Sequence, residues 1–241
     1  MDYYFITGTS RGLGKALAEY FLLKGNAHVT GIARSSSIEH ANYKHWSLDL
    51  ANIVETERFL QIAFKTLEKA SRIVLINNAG TLGKIDYIGK QNTSDLTQVF
   101  NLNIISPVLL TNHFIKKYES ENCPKIIINI SSGAGHKPYD GWASYCASKS
   151  ALNLFSETVA LEQQLQKKNT HIFAVAPGVV NTEMQTQIRA SNPANFSQLE
   201  RFQTLKKDNL LDNPTEVAQK IAQIIEQPNQ FESTVLDVRK F

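Results

Sequence analysis

Short, β-rich apolar runs alternate with longer amphipathic runs from one end of this chain to the other, and that alternation limits the folds open to it. The strand-like runs are 3–7, 28–33, 44–48, 73–77, 125–131, 171–176 and 234–238. Ile73-Val74-Leu75-Ile76 and Ile126-Ile127-Ile128 are apolar without a break, whereas a strand wet on one face would alternate. Such strands are covered on both faces. Helical periods lie between them, over 12–24, 53–69, 93–118, 142–166 and 215–226. A repeated β-α-β order calls for parallel strands joined by right-handed crossovers. The expected fold is a single doubly wound α/β domain over 1–241, with a seven-stranded parallel sheet and helices on both faces. No repeat or Pro/Gly/Ser linker divides it. The stretch 181–213 is polar, amide-rich and irregular, and is expected to act as a substrate lid.

At 241 residues such a domain buries roughly 70–75% of the surface of the open chain, so it needs no disulfide or metal staple. The only cysteines are Cys123 and Cys146, which excludes a disulfide scaffold and suits a reducing cytoplasm. A net charge of +3 is spread as lysine pairs such as Lys116-Lys117 and Lys206-Lys207, with no stripe for nucleic acid. No apolar run reaches the eighteen or so residues of a membrane span. With Asp2 at the start and a glycine loop open by Gly8, no signal peptide is expected. The six histidines show no metal-ligand spacing, so no metal is expected.

The first strand ends in Thr7-Gly8-Thr9-Ser10-Arg11-Gly12-Leu13-Gly14 and runs into a helical period. Glycines there permit a tight turn and let backbone N–H groups approach a pyrophosphate at a helix N-terminus. Three glycines in a turn also occur in ordinary strand-to-helix connections, but this loop follows the first strand and opens a helix. An acid about 20 residues further on would bind the ribose 2′-hydroxyl of NAD. Here Ala33-Arg34-Ser35-Ser36 fills that place. A guanidinium grips a 2′-phosphate that a carboxylate would repel, so Arg34, with Arg11 as a second candidate, favours NADP(H).

Tyr145-Cys146-Ala147-Ser148-Lys149 sets Tyr145 and Lys149 on one helix face. A nearby ammonium stabilises a phenolate, and lowering a phenol pKa by about three units takes roughly 4 kcal/mol. Tyr-x3-Lys alone is also a common surface pair.

Taken together, Thr7-Gly8-x3-Gly12-x-Gly14, Asn77-Asn78-Ala79-Gly80, Asn103, Ser132, Tyr145-x3-Lys149 and Pro177-Gly178 identify a resemblance to the short-chain dehydrogenase/reductase family along essentially the whole chain. The resemblance implies a Rossmann-type fold and hydride transfer from NADPH to a carbonyl carbon. It implies Tyr145 as general acid, Ser132 as the group orienting the carbonyl oxygen, and Lys149 as the cation beside the phenol and the nicotinamide ribose. Asn103 would steady a water relaying protons past Lys149; a polar side chain bonding backbone is the other reading of that residue. The family pattern lays 77–80 against the adenine-ribose side and Asp49, followed by Leu50, against the adenine. It also sets Val180 and Thr182 near the nicotinamide carboxamide, with Ile6 and Asn78 lining the cofactor.

Within the family, Gly141-Trp142-Ala143-Ser144-Tyr145-Cys146-Ala147, Thr182-x-Met184-Gln185 and the tail from Val235 to Phe241 are similar to sepiapterin reductases and bacterial benzil reductases. That branch implies a ketone, vicinal diketone or pterin side chain as substrate. Pro138, Tyr139, Trp142, Met184 and Gln185 are candidate pocket walls, although aromatics there could equally be packing. Asp237 matches the acid that anchors the pterin in sepiapterin reductases, or else ends an edge strand in solvent. A pterin reductase and a non-catalytic NADP(H) sensor are the rival readings. A homodimer or homotetramer through the long helices is expected.

Overall fold

The computed structural model describes residues 1–241. Its seven strands are β1 (Asp2–Thr7), β2 (Ala27–Ala33), β3 (Tyr43–Ser47), β4 (Arg72–Asn77), β5 (Lys125–Ile130), β6 (Thr170–Ala176) and β7 (Val235–Asp237). They form one sheet in the order β3-β2-β1-β4-β5-β6-β7, every pair parallel. Helices α1 (Gly12–Leu23), α2 (Ile53–Ala63), α3 (Thr93–Phe100) and α4 (Ser106–Tyr118) connect the first five strands. The second half carries α5 (Ala143–Leu165), α6 (Glu183–Arg189), α7 (Leu199–Lys207) and α8 (Pro214–Glu226).

The unbroken apolar runs are explained by two cores, one on each face of the sheet. Tyr4, Ile6, Val74, Ile76, Ile126 and Ile128 pack under α1 and α8 against Leu17, Phe21, Ile221 and Ile225. Their neighbours Phe5, Ile73, Leu75 and Ile127 point the other way, against Phe59 of α2, Phe114 of α4 and Val159 of α5. Successive strand residues thus alternate between two equally dry faces. Helix α2 stops at Ala63, short of the expected 69. Phe64 is extended and turned inward, its ring edge-on to Phe5 at 5.0 Å and to Phe114 at 5.6 Å.

Two other sequence expectations need correction. The helix expected over 93–118 is broken by a π turn, Asn101–Ile105, in which the Ser106 N–H reaches back to the Asn101 carbonyl. Pro107 has no N–H to give the Asn103 carbonyl, so the regular ladder cannot pass through. Nor is 181–213 irregular: it holds α6 and α7. Its polar composition hides Ile188, Phe196, Leu199 and Phe202, which form a third core with Trp142 and Tyr145.

β1 pairs with β2 on one side and β4 on the other, so the winding reverses there. A crevice opens outside the carboxyl ends of the strands at such a point.

Candidate active site

The glycine loop lies at the carboxyl end of β1. Gly8 has φ +72° and Gly12 φ +57°, in the left-handed region where only glycine sits without strain. A Cβ on Gly14 would lie 2.3 Å from both the Gly8 carbonyl oxygen and Asn78 Nδ2. Asn78 Nδ2 donates to the Thr7 carbonyl at 2.9 Å, and Thr7 Oγ1 accepts from the N–H groups of Asn78 and Ala79, each at 2.9 Å. The ends of β1 and β4 are thereby stitched together beneath the opening of α1. Arg11 precedes α1 without capping it by its side chain, so the first N–H groups keep their capacity for an anion. Left-handed glycines at a helix N-terminus, in a loop braced from behind so closely that Gly14 has no room for a methyl, fit a pyrophosphate.

A cleft of about 680 Å³ runs from this loop across the sheet ends. Gly8, Ser10, Arg11, Gly12 and Leu13 line its start, and Arg34, Asp49 and Leu50 also line it. Asn78, Ala79 and Gly80 form the middle, with Pro177, Gly178, Val180 and Thr182 opposite. Four of the expected cofactor positions lie outside this lining. Ile6 is fully buried in the core, Gly14 sits behind the loop, Ser35 is exposed beyond the rim, and Asn77 turns beneath the sheet to donate to Asn129 Oδ1 at 2.8 Å. The two arginines also differ. Arg11 is ion-paired with Glu183 at the start of α6, whereas Arg34 is exposed and has no ion-pair partner.

Tyr145 and Lys149 lie one turn apart on the buried face of α5, and both line the cleft. Lys149 Nζ is 5.8 Å from the centre of the Tyr145 ring and donates to the Ile130 carbonyl at 2.7 Å. Ser132 follows β5, accepts the Ala134 N–H at 3.1 Å, and lines the cleft with Tyr145, close enough to lower the pKa of its phenol. The turn Gly133–Gly135 reaches α5 so closely that a Cβ on Gly135 would lie 3.0 Å from the Lys149 carbonyl. That approach sets Ser132 opposite the phenol.

The electrostatics correct one expectation. The ammonium was expected to lower the phenol pKa, but burial dominates both groups. It pushes Tyr145 up to about 12, against a smaller lowering by Ser132, and takes Lys149 down to about 8. At neutral pH the phenol therefore keeps its proton, the form needed by an acid rather than a base.

For the Asn103 side chain the structure bears out the second reading, a polar group bonding backbone. Its Nδ2 donates to the Thr81 carbonyl at 2.8 Å and to Ser148 Oγ at 3.1 Å, while Oδ1 accepts the Thr81 N–H at 2.9 Å. The side chain is fully buried and both amide hydrogens are used, so it clamps the segment beside Gly80 instead of holding a water. What remains is its main-chain carbonyl, which Pro107 deprives of an α-helical donor.

On the substrate side, Met184 and Gln185 of α6 line the cleft, and Gln185 Oε1 is buried without a partner. Trp142 borders the cleft mainly as packing: it stacks on Phe196 and Tyr139, each at 4.9 Å, and meets the Tyr145 ring edge-on at 5.8 Å. Asp237 is off the lining, held by Arg239, whose Nε donates to it at 2.9 Å. The expected pterin anchor is thus neutralised by the tail's own arginine. Lys137, Arg201 and Arg239 do line the cleft. Sequence reasoning missed all three, because only folding brings the 133–142 loop, α7 and the C-terminal tail together.

A family model described as short chain dehydrogenase matches residues 3–193. The chain belongs to the short-chain dehydrogenase/reductase family. Members of this family bind a nicotinamide cofactor, and the present chain is an oxidoreductase acting on C=O and CH–OH groups. Among its family relatives are two benzil reductases that form (S)-benzoin. That of Bacillus subtilis is 34% identical over the full length of both chains, and that of Bacillus cereus 37% identical over 94% of each. The sepiapterin reductase of Mus musculus is 31% identical, covering 95% of this chain and 92% of its own. The crystal structure of YIR035C, a Saccharomyces cerevisiae family member, superposes with a TM-score of 0.84 at 26% identity, over 99% of this chain and 96% of that one. No helix of the protein is long and apolar enough to cross a membrane.

Proposed function

We propose that the protein reduces one carbonyl of a vicinal diketone to the α-hydroxy ketone, with NADPH as the reductant. The observation that carries this reading is the buried Tyr145, one turn from Lys149 and beside Ser132, in the same cleft as the glycine cradle and the unpaired Arg34. The full-length similarity to benzil reductases supports the diketone.

When bound, the nicotinamide supplies the hydride. Ser132 Oγ, its hydroxyl hydrogen free to turn outward, orients the carbonyl oxygen. Tyr145 Oη gives its proton to that oxygen as negative charge develops there. Lys149, cationic below about pH 8, stabilises the phenolate left behind and is placed to hold the ribose hydroxyls. The Asn103 main-chain carbonyl, to which Pro107 has no N–H to donate, steadies the water through which the phenol is reprotonated.

A screen following NADPH absorbance with benzil, other diketones and sepiapterin tests the reading; tight NADPH binding with no turnover on any carbonyl would instead favour the sensor. The pairing of Asp237 with Arg239 argues against a pterin reductase. If Lys149 must be charged, reductive kcat/KM falls about tenfold per pH unit above roughly pH 8. A profile flat to pH 10 contradicts that role. Arg34→Asp removes a phosphate partner and adds repulsion. It should lower the NADPH-to-NADH preference in kcat/KM by about ten- to a hundredfold; an unaltered ratio refutes the assignment.

Helix α5 leaves Leu154, Leu161 and Leu165 exposed, which supports a homodimer or homotetramer, checked by sedimentation. The free thiols Cys123 and Cys146 suit a cytoplasmic location.

A further inference from the structure

Three cations that line the cleft gather near Tyr139, the stacking partner of Trp142. Arg201 Nη1 of α7 donates to the Tyr139 hydroxyl at 3.5 Å, and Lys137 Nζ is 5.2 Å from the centre of the same ring. Arg239 lines the cleft as well, within electrostatic range of Tyr139. Its charge is answered by Asp237, and Asp212 also lies within electrostatic range. Lys137 and Arg201 have no such answer, since neither forms an ion pair anywhere in the protein. The acids lining the cleft, Asp49 and Glu183, belong to its cofactor half, and Glu183 is occupied by Arg11. The field of Lys137 and Arg201 also holds the Tyr139 phenol below its ordinary range, despite burial that raises it. Two unanswered cations and a polarised hydroxyl in the mouth of a substrate cleft form an acceptor for an anion.

We propose that Lys137, Tyr139 and Arg201 form a subsite for an anionic group on the substrate. The substrate class is then a diketone carrying a carboxylate or phosphate at its end remote from the reacting carbonyl. The aromatic stack puts these cations within two ring contacts of the proton donor. Tyr139 lies one ring contact of 4.9 Å from Trp142, and Trp142 one of 5.8 Å from Tyr145. An aryl ring between carbonyl and anion spans a gap of that kind. The inference rests on the diketone reading and adds to it the charge of the substrate.

The test pairs benzil with 4-carboxybenzil and with its phosphonomethyl counterpart, in two measurements. Steady-state reduction by the wild-type protein at low salt should favour an anionic substrate in kcat/KM by at least about tenfold, and high salt should erase the preference. Which anion is favoured separates a carboxylate site from a phosphate site. In Lys137→Gln/Arg201→Gln the ratio of anionic to neutral kcat/KM should fall to near unity, and Arg201→Glu should invert it. Equilibrium binding of the same compounds to Tyr145→Phe protein, read by tryptophan fluorescence, requires no turnover. Tighter binding of the anionic compounds that disappears in the double variant supports the subsite even if none is reduced, and in that case only the diketone reading fails. Equal binding of neutral and anionic compounds to the unsubstituted subsite overturns the proposal, as does a preference that survives the double variant.

Discussion

Replacing Tyr145 by Phe should lower the reductive kcat by about a hundred- to ten-thousandfold, the range that a positioned general acid contributes. The loss is expected to be chemical and not structural. Phe keeps the edge-on contact with Trp142 and the burial that holds α5 against the third core. Ser132 keeps the bond it accepts from Ala134 and loses only the phenol. The dissociation constant of NADPH, followed by fluorescence, should stay within about twofold, because the glycine cradle and Lys149 are untouched. Turnover within tenfold of wild type would remove Tyr145 from the chemistry.

The second large effect is expected at Gly14. An added methyl would lie 2.3 Å from the Gly8 carbonyl and from Asn78 Nδ2, and the first of these is backbone that cannot rotate away. Either α1 retreats from the loop or the loop loses the spacing of its N–H groups. Overpacking of this kind costs about 1–3 kcal/mol, which for a domain of this size lowers Tm by roughly 2–12 °C. NADPH affinity should fall more than about tenfold, since the same displacement spoils the anion cradle. Gly133→Ala is the control for stability. Nothing lies within 4 Å of a Cβ there, so Tm should change little. A Gly14→Ala protein with wild-type Tm and NADPH affinity would contradict the close-packing argument.

The sheet was legible in the sequence because its central strands are dry on both faces, and an unbroken run such as Ile126-Ile127-Ile128 has few other uses. The glycine loop and the Tyr145–Lys149 pair were legible because their chemistry depends on spacing within one element. What depends on distant segments was not. Trp142 looks from sequence like a pocket wall, yet Phe196, more than fifty residues away, claims its ring face. Arg239 takes the acid that sequence reasoning offered to the substrate. Asn103 was placed at the site by its motif, but only the fold reveals that Thr81 and Ser148 consume its amide. The helices of 181–213 were hidden because their few apolar residues are diluted by amides, and only one face of each is needed to seat them.

The two feet of that segment are fastened to each other. The Asn181 N–H donates to the Asp212 carbonyl at 2.9 Å, and the Asp212 N–H to the Val179 carbonyl at 3.0 Å. Whatever lies between is therefore a cassette, clipped at its base and plugged into one aromatic socket at Trp142. Exchanging it for a relative's counterpart should retune which molecules enter without disturbing β6, α8 or the proton donor, provided the two rings that fill the socket are retained.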